Sequence, residues 1–128
     1  MNLTLLFSVA LGGALGAITR LLITIGIDQF SLTDFPYATL FINIIGSFAL
    51  GLFAEFLNNG WSPSEEMKFF VIVGLLGAFT TFSTFSQEVV FMIGKGEIYF
   101  AGFYILLSVT LSIFGLFLGI ILSRQLFS

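Results

Sequence analysis

Four long apolar runs, separated by three short polar interruptions, organise this chain. Residues 3–27 carry one charge, Arg20, and exceed the roughly 20 residues that the hydrocarbon core of a bilayer requires. Residues 37–57, 67–93 and 98–123 repeat the pattern, with breaks at Asp28–Pro36, Asn58–Ser64 and Gly94-Lys95-Gly96. Pro36 suits the first turn of a helix, where its missing N–H is not needed. Ser64 followed by Glu65 and Glu66 reads as a helix start, with carboxylates at the positive end of the dipole. The expectation is an all-α membrane protein, one four-helix domain over residues 1–128, without a 20-to-50-residue repeat or a low-complexity linker. The first run lacks a charged flank and a small-residue cleavage site, so it reads as a retained span and not as a signal peptide.

Polar residues inside these spans are the informative ones. Gly77 to Ser86 holds five hydroxyls and three phenylalanines in ten residues, and each polar group at membrane depth must find a partner. Gly77 beside Thr80 and Thr81 predicts a third helix broken near its middle, since irregular backbone is tolerated there only when buried or lining a cavity. Phe82 and Phe85 share a face; they are ordinarily packing residues, yet the positive edge of an aromatic ring can face an anion, and Thr81, Ser83 and Thr84 interleave them. Tyr104, Ser108 and Ser112, four residues apart, form one polar stripe that can pass a small anion along, or back-bond to the preceding turn. Asn43, central in the second span, faces a cavity or a partner helix, either as an interhelical hydrogen bond or as an anion contact. Arg20 either snorkels to the interface or makes an electropositive vestibule. Glu55 and Glu88 lie near span ends and are expected to reach water. Gly12 with Gly16, and Gly115 with Gly119, are small-residue faces that admit a close backbone.

Composition sharpens this picture and closes other routes. The 128 residues are 58% hydrophobic and 9% charged, with a mean hydropathy of +1.12, against about 25% charged in soluble domains. No cysteine or histidine is present, which removes thiol chemistry and imidazole metal sites, and there is no paired catalytic carboxylate, phosphate loop or activated nucleophile. The net charge of −3 is dispersed, so no basic patch points to nucleic acid. Lys68 and Arg124 fall on the side of both termini, while Lys95, with Arg20 leaning toward it, falls on the other. Orientation follows the excess of Lys and Arg in cytoplasmic loops, and here that excess is nearly zero. Charge counting leaves open one weakly fixed orientation or an antiparallel pair of oppositely inserted copies. Four helices of this size cannot enclose a pore alone, so an ion path would form at a subunit interface, which the small-residue faces suit.

The runs Gly12-Gly13-Ala14-Leu15-Gly16-Ala17 with Arg20, Asn43-Ile44-Ile45-Gly46-Ser47-Phe48 with Gly51, and Gly74-Leu75-Leu76-Gly77-Ala78-Phe79-Thr80-Thr81-Phe82-Ser83-Thr84-Phe85-Ser86 resemble the Fluc/CrcB family of fluoride channels. The resemblance implies a passive, fluoride-selective channel in a bacterial inner membrane, built as an antiparallel dual-topology homodimer with two pores, lowering cytoplasmic fluoride. It implies that Phe82 and Phe85 line the path and that Asn43 donates to the ion. It further implies a structural sodium held by backbone oxygens of Gly77 and Thr80 from both copies. Tyr104, Ser108 and Ser112 match a polar track, and Ser83, Thr84 and Thr39 accompany the pathway. A competing reading is a proton-coupled exporter resembling the small multidrug resistance type, with Glu88 as its embedded carboxylate. A third is a helical assembly subunit that transports nothing.

Overall fold

The computed structural model describes residues 2–127, all of it helix, turn and loop; positions 1 and 128 of the expected domain lie outside them. Helix α1 spans Leu3–Phe30 and starts at Asn2, whose side chain accepts from the Thr4 amide at 2.8 Å. Helix α2 spans Tyr37–Asn58. The turn after it passes through Gly60 at φ 94°, a left-handed conformation that glycine adopts without a Cβ clash. Helix α3, Glu65–Phe69, opens with Ser64 accepting from the Met67 amide at 3.2 Å, and Glu65 and Glu66 occupy its first turn. The chain then widens into a π-helix over Phe70–Leu76 and closes again as α4, Gly77–Phe79. Thr80 (φ −79°, ψ 156°) and Thr81 (φ −151°, ψ 118°) are extended, after which α5 runs over Phe82–Gly94. A turn through Gly96 at φ 82° leads to α6, Ile98–Phe127. Four helical segments, Leu3–Phe30, Tyr37–Asn58, Glu65–Gly94 and Ile98–Leu126, are long and apolar enough to cross a membrane.

Two glycine seams hold the bundle together, and both are used inside the chain. A Cβ on Gly12 would overlap the Phe70 carbonyl oxygen, and one on Gly16 the Leu75 carbonyl oxygen; from the other side, one on Gly74 would stand 2.7 Å from the Val9 oxygen. This seam seats α1 against the π-helix. Between α2 and α6, a Cβ on Gly51 would overlap Leu116 O and one on Gly119 would overlap Phe48 O. These contacts correct the expectation that the small-residue faces serve a subunit interface: backbones within one copy already fill them. With lipid as apolar as the side chains, such close packing is the main attraction between membrane helices. The segment after Thr81 packs differently. Phe85, Val89 and Met92 of α5 meet Ala101 and Tyr104 of α6 in a small buried cluster, flanked by Phe35 and Leu40.

Candidate functional site

The site is organised by the two extended residues between α4 and α5. Asn43 on α2 meets Thr81 twice: its Nδ2 donates to Thr81 O at 3.0 Å, and its Oδ1 accepts from the Thr81 amide at 2.8 Å. The side-chain amide thus copies a strand partner and holds the backbone open. The Thr81 hydroxyl accepts from the Thr84 amide at 3.1 Å and caps α5. In an uninterrupted helix, the Thr81 and Thr84 amides would bond to the carbonyls of Gly77 and Thr80. Turned instead to Asn43 and to the Thr81 side chain, they leave those two carbonyl oxygens without their helical donors. The neighbouring carbonyl, Ala78 O, accepts from Arg20 Nε at 3.1 Å. Arg20 therefore does not simply snorkel: its Nε is committed to the interrupted helix while the side chain borders a cavity. Thr80 folds its hydroxyl back to Leu76 O at 2.9 Å.

Three cavities with shared walls follow this segment. A polar mouth of about 590 Å³ lies between the loop after α1 and α5, with Thr84 and Glu88 on its inner side. Thr84 and Glu88 also border a second space of about 270 Å³ with Arg20, Thr39 and Thr81. Thr81 in turn borders a third of about 310 Å³, lined by Asn43, Phe82, Phe85, Ser108 and Ser112 among others. Glu88 is the polar centre of the first two. Thr39 Oγ1 donates to its Oε2 at 2.9 Å and the Tyr104 hydroxyl to its Oε1 at 2.8 Å. Tyr104 is fully buried and its ring packs on Phe85, with centroids 5.1 Å apart.

In the third cavity the two phenylalanines differ. Their ring centroids are 5.5 Å apart and tilted by 56°, yet Phe85 is 7% exposed and Phe82 77%. Phe85 belongs to the core of this copy, whereas Phe82 stands open on its flank. Ser108 Oγ is buried without a hydrogen-bond partner, so it does not back-bond to the preceding turn and leaves a donor at the cavity wall. Ser112 lies one turn further along the same wall.

Several sequence expectations are changed by these contacts. Asn43 has its oxygen and one amide proton engaged by Thr81, so holding the backbone is its first task. Ser83 is exposed, outside the third cavity, and close to Thr81 Oγ1 at 3.4 Å. Thr84 and Thr39 are grouped with Glu88 in the second space instead of with the phenylalanines. Tyr104 is not on the wall of the third cavity that Ser108 and Ser112 line, and its hydroxyl donates to Glu88. Glu88 and Glu55 do not simply reach water: Glu88 receives two hydroxyls, and Glu55, 7% exposed, accepts from Arg124 Nε at 2.9 Å. Among the described residues, no group of three or more acidic, histidine or cysteine side chains could hold a metal. Sequence reasoning expected irregular backbone beside Thr80 and Thr81 but did not foresee that the Asn43 side chain would pair with the Thr81 backbone.

The family model described as CrcB-like protein, Camphor Resistance (CrcB), matches residues 7–120. The chain belongs to the CrcB family. A fluoride-specific ion channel FluC 1 from Nitrobacter hamburgensis is 43% identical over 126 residues, covering 98% of this chain and 100% of the relative. Others named fluoride-specific ion channel FluC come from Rhodospirillum centenum, 42% identical over 94% of this chain and 95% of the relative, and Flavobacterium psychrophilum, 41% identical over 94% and 98%. With four helices able to span a bilayer, this CrcB family member is a multi-pass bacterial membrane protein.

Proposed function

We propose that the chain is a fluoride-selective channel that conducts the ion passively out of the cell through two pores of an antiparallel, dual-topology homodimer, lowering cytoplasmic fluoride. The observation that carries this is the run of three cavities with shared walls, from a polar mouth past Glu88 and Thr81 to a chamber of ring edges and unspent donors. Fluoride is small and strongly hydrated, so a selective path must replace water with fixed donors that are weak enough singly to release the ion. The buried, unpaired Ser108 hydroxyl, the second Nδ2 proton of Asn43, Ser112 and the edges of Phe82 and Phe85 meet that demand. Thr84 and Thr39 line the way to them, Tyr104 stands behind it holding Glu88, and Arg20 supplies positive charge beside the second space. Glu88 orients Thr39 and Tyr104.

The dimer is supported by Phe82, a pathway residue that is open on the flank of one copy, and by the even division of Lys and Arg between the two membrane faces. In this reading the interruption of the third span sits at the dimer axis. Gly77, exposed, and Thr80 present carbonyl oxygens that have lost their helical donors. A pair of such carbonyls from each copy would suit a sodium ion, which takes hard oxygen ligands and, when bound, would fix the two interrupted helices together. A proton-coupled exporter using Glu88 is not favoured, since the relatives are named as channels.

The test is fluoride against chloride efflux from vesicles holding the purified protein. Rapid fluoride release with chloride retained is expected, and Phe82→Ile is expected to slow fluoride release with the dimer intact. Equal release of both ions, uphill transport driven by a pH gradient, or no flux of any ion would each defeat the channel assignment.

A further inference from the structure

A fourth cavity, the largest described at about 680 Å³, shares Thr33, Asp34, Phe35, Phe91 and Met92 with the polar mouth but extends from it toward α6, where its character differs. It opens at the membrane surface between the loop before α2, the end of α5 and the start of α6. Its volume falls within the range of small-molecule sites. The rim carries both signs of charge: Lys95 and the half-buried Glu97 on the turn between α5 and α6, and Asp34 on the loop before α2. Below the rim the walls are apolar, descending past Phe103 and Leu40 to Leu107. Leu107 is nine residues into α6 from Ile98, so the shaft reaches about 13 Å along the helix at 1.5 Å per residue. That is headgroup depth at the top and acyl-chain depth at the bottom.

Lys95 Nζ stands 3.7 Å from Asp34 Oδ2 and 4.7 Å from the Phe91 ring centre. An exposed pair at that separation contributes little and opens readily to a group able to serve both partners. We propose that this cavity binds a phospholipid with a zwitterionic headgroup bearing a primary ammonium. The phosphate lies against Lys95, the ammonium donates to Asp34 and Glu97, and one acyl chain fills the shaft. Charge complementarity selects this occupant: an anionic headgroup without an ammonium leaves Asp34 and Glu97 facing a like charge, and a quaternary ammonium has no proton to donate to them. A second copy of the chain would have to present both signs and an apolar peg at membrane-surface depth. The shaft's inner wall is also the back of the site, since Phe35 packs edge-on to Tyr104 at 5.4 Å and Leu40 flanks the same cluster. Lipid in the cavity therefore braces the ring whose hydroxyl holds Glu88.

The test uses the purified protein in neutral detergent with equal amounts of phosphatidylethanolamine, phosphatidylcholine and phosphatidylglycerol of one acyl composition, counting retained lipid by native mass spectrometry. Phosphatidylethanolamine is expected to be retained roughly fivefold or more over the other two, as two additional polar contacts would give. The double variant Asp34→Asn, Lys95→Gln, at exposed positions, is expected to bring the three to parity. Leu107→Trp, which fills the shaft, is expected to lower retention of all three, and gel filtration shows whether that variant folds. Equal retention by the unaltered protein, a preference for phosphatidylglycerol, or a preference that survives the double variant would overturn the proposal. Because the readout is bound mass and not ion flux, it stands or falls separately from the channel assignment.

Discussion

The two halves of the third span, one on each side of Thr80 and Thr81, sit in opposite kinds of surroundings. Before the interruption, the π-helix lies on the glycine seam of α1, backbone against backbone, with no space for one added methyl group at Gly12 or Gly16. After it, α5 borders four cavities and keeps only a small side-chain cluster against α6. The first half is a scaffold whose chemistry is the absence of side chains. The second is a set of donors held apart. Rigid packing on one side allows looseness on the other, because the extended residues are anchored from α4, Arg20 and Asn43 before α5 begins.

The difference is most severely tested at the seams. Gly16→Val and Gly51→Leu are expected to abolish recovery of folded protein, since the added atoms meet backbone that cannot move aside and overpacking costs about 1–3 kcal/mol even where repacking is possible. Gly13→Ala, one residue from the seam and with nothing within 4 Å, is expected to leave the thermal midpoint in detergent unchanged. If Gly13→Ala and Gly16→Val behave alike, the scaffold description fails.

Asn43→Ala comes next. It removes both bonds to the Thr81 backbone, at a cost of about 2 kcal/mol or more from the lost bonds and the orphaned groups. Fluoride efflux should fall by at least about tenfold, which 1.4 kcal/mol at the barrier would produce, with folded protein still recovered by gel filtration. An unchanged rate would remove Asn43 from both its tasks.

The two phenylalanines divide conduction from stability. Phe85→Leu, in the buried cluster, should lower the thermal midpoint and slow efflux together, while Phe82→Ile should slow efflux with little loss of monomer packing, because 77% of that residue is open in one copy. Equal destabilisation by both would contradict the asymmetry. The smallest effect is expected for Tyr104→Phe, which removes one bond to Glu88 while keeping the ring on Phe85. A loss of about 1 kcal/mol in stability and a modest slowing of efflux are the expected readings from unfolding and flux measurements.

The architecture was legible in the sequence to the extent that it is local. Apolar run length gave the four spans, and Ser64 with its glutamates marked a helix start that the structure shows capped in that way. What could not be read were pairings between distant positions. Asn43 and Thr81 are 38 residues apart, Thr39 and Glu88 49, and Glu55 and Arg124 69. Nothing in the local pattern says that Asn43 will answer a backbone rather than an ion, or that Glu55 will be buried against an arginine. Hydropathy likewise separates apolar from polar but not lipid-facing from helix-facing glycine, so both seams looked available to a second copy.

The interruption at Thr80 and Thr81 also has an electrostatic consequence. A helix end carries the equivalent of about half an elementary charge, negative where carbonyls emerge and positive where amides do. By ending one helix at Phe79 and starting another at Phe82, the chain sets opposite poles side by side at mid-membrane depth. Two signs of potential are present there without an ionised carboxylate or amine between Lys68 and Glu88. A protein with so few charges can address ions in hydrocarbon because its backbone, cut at one point, is polarised for it.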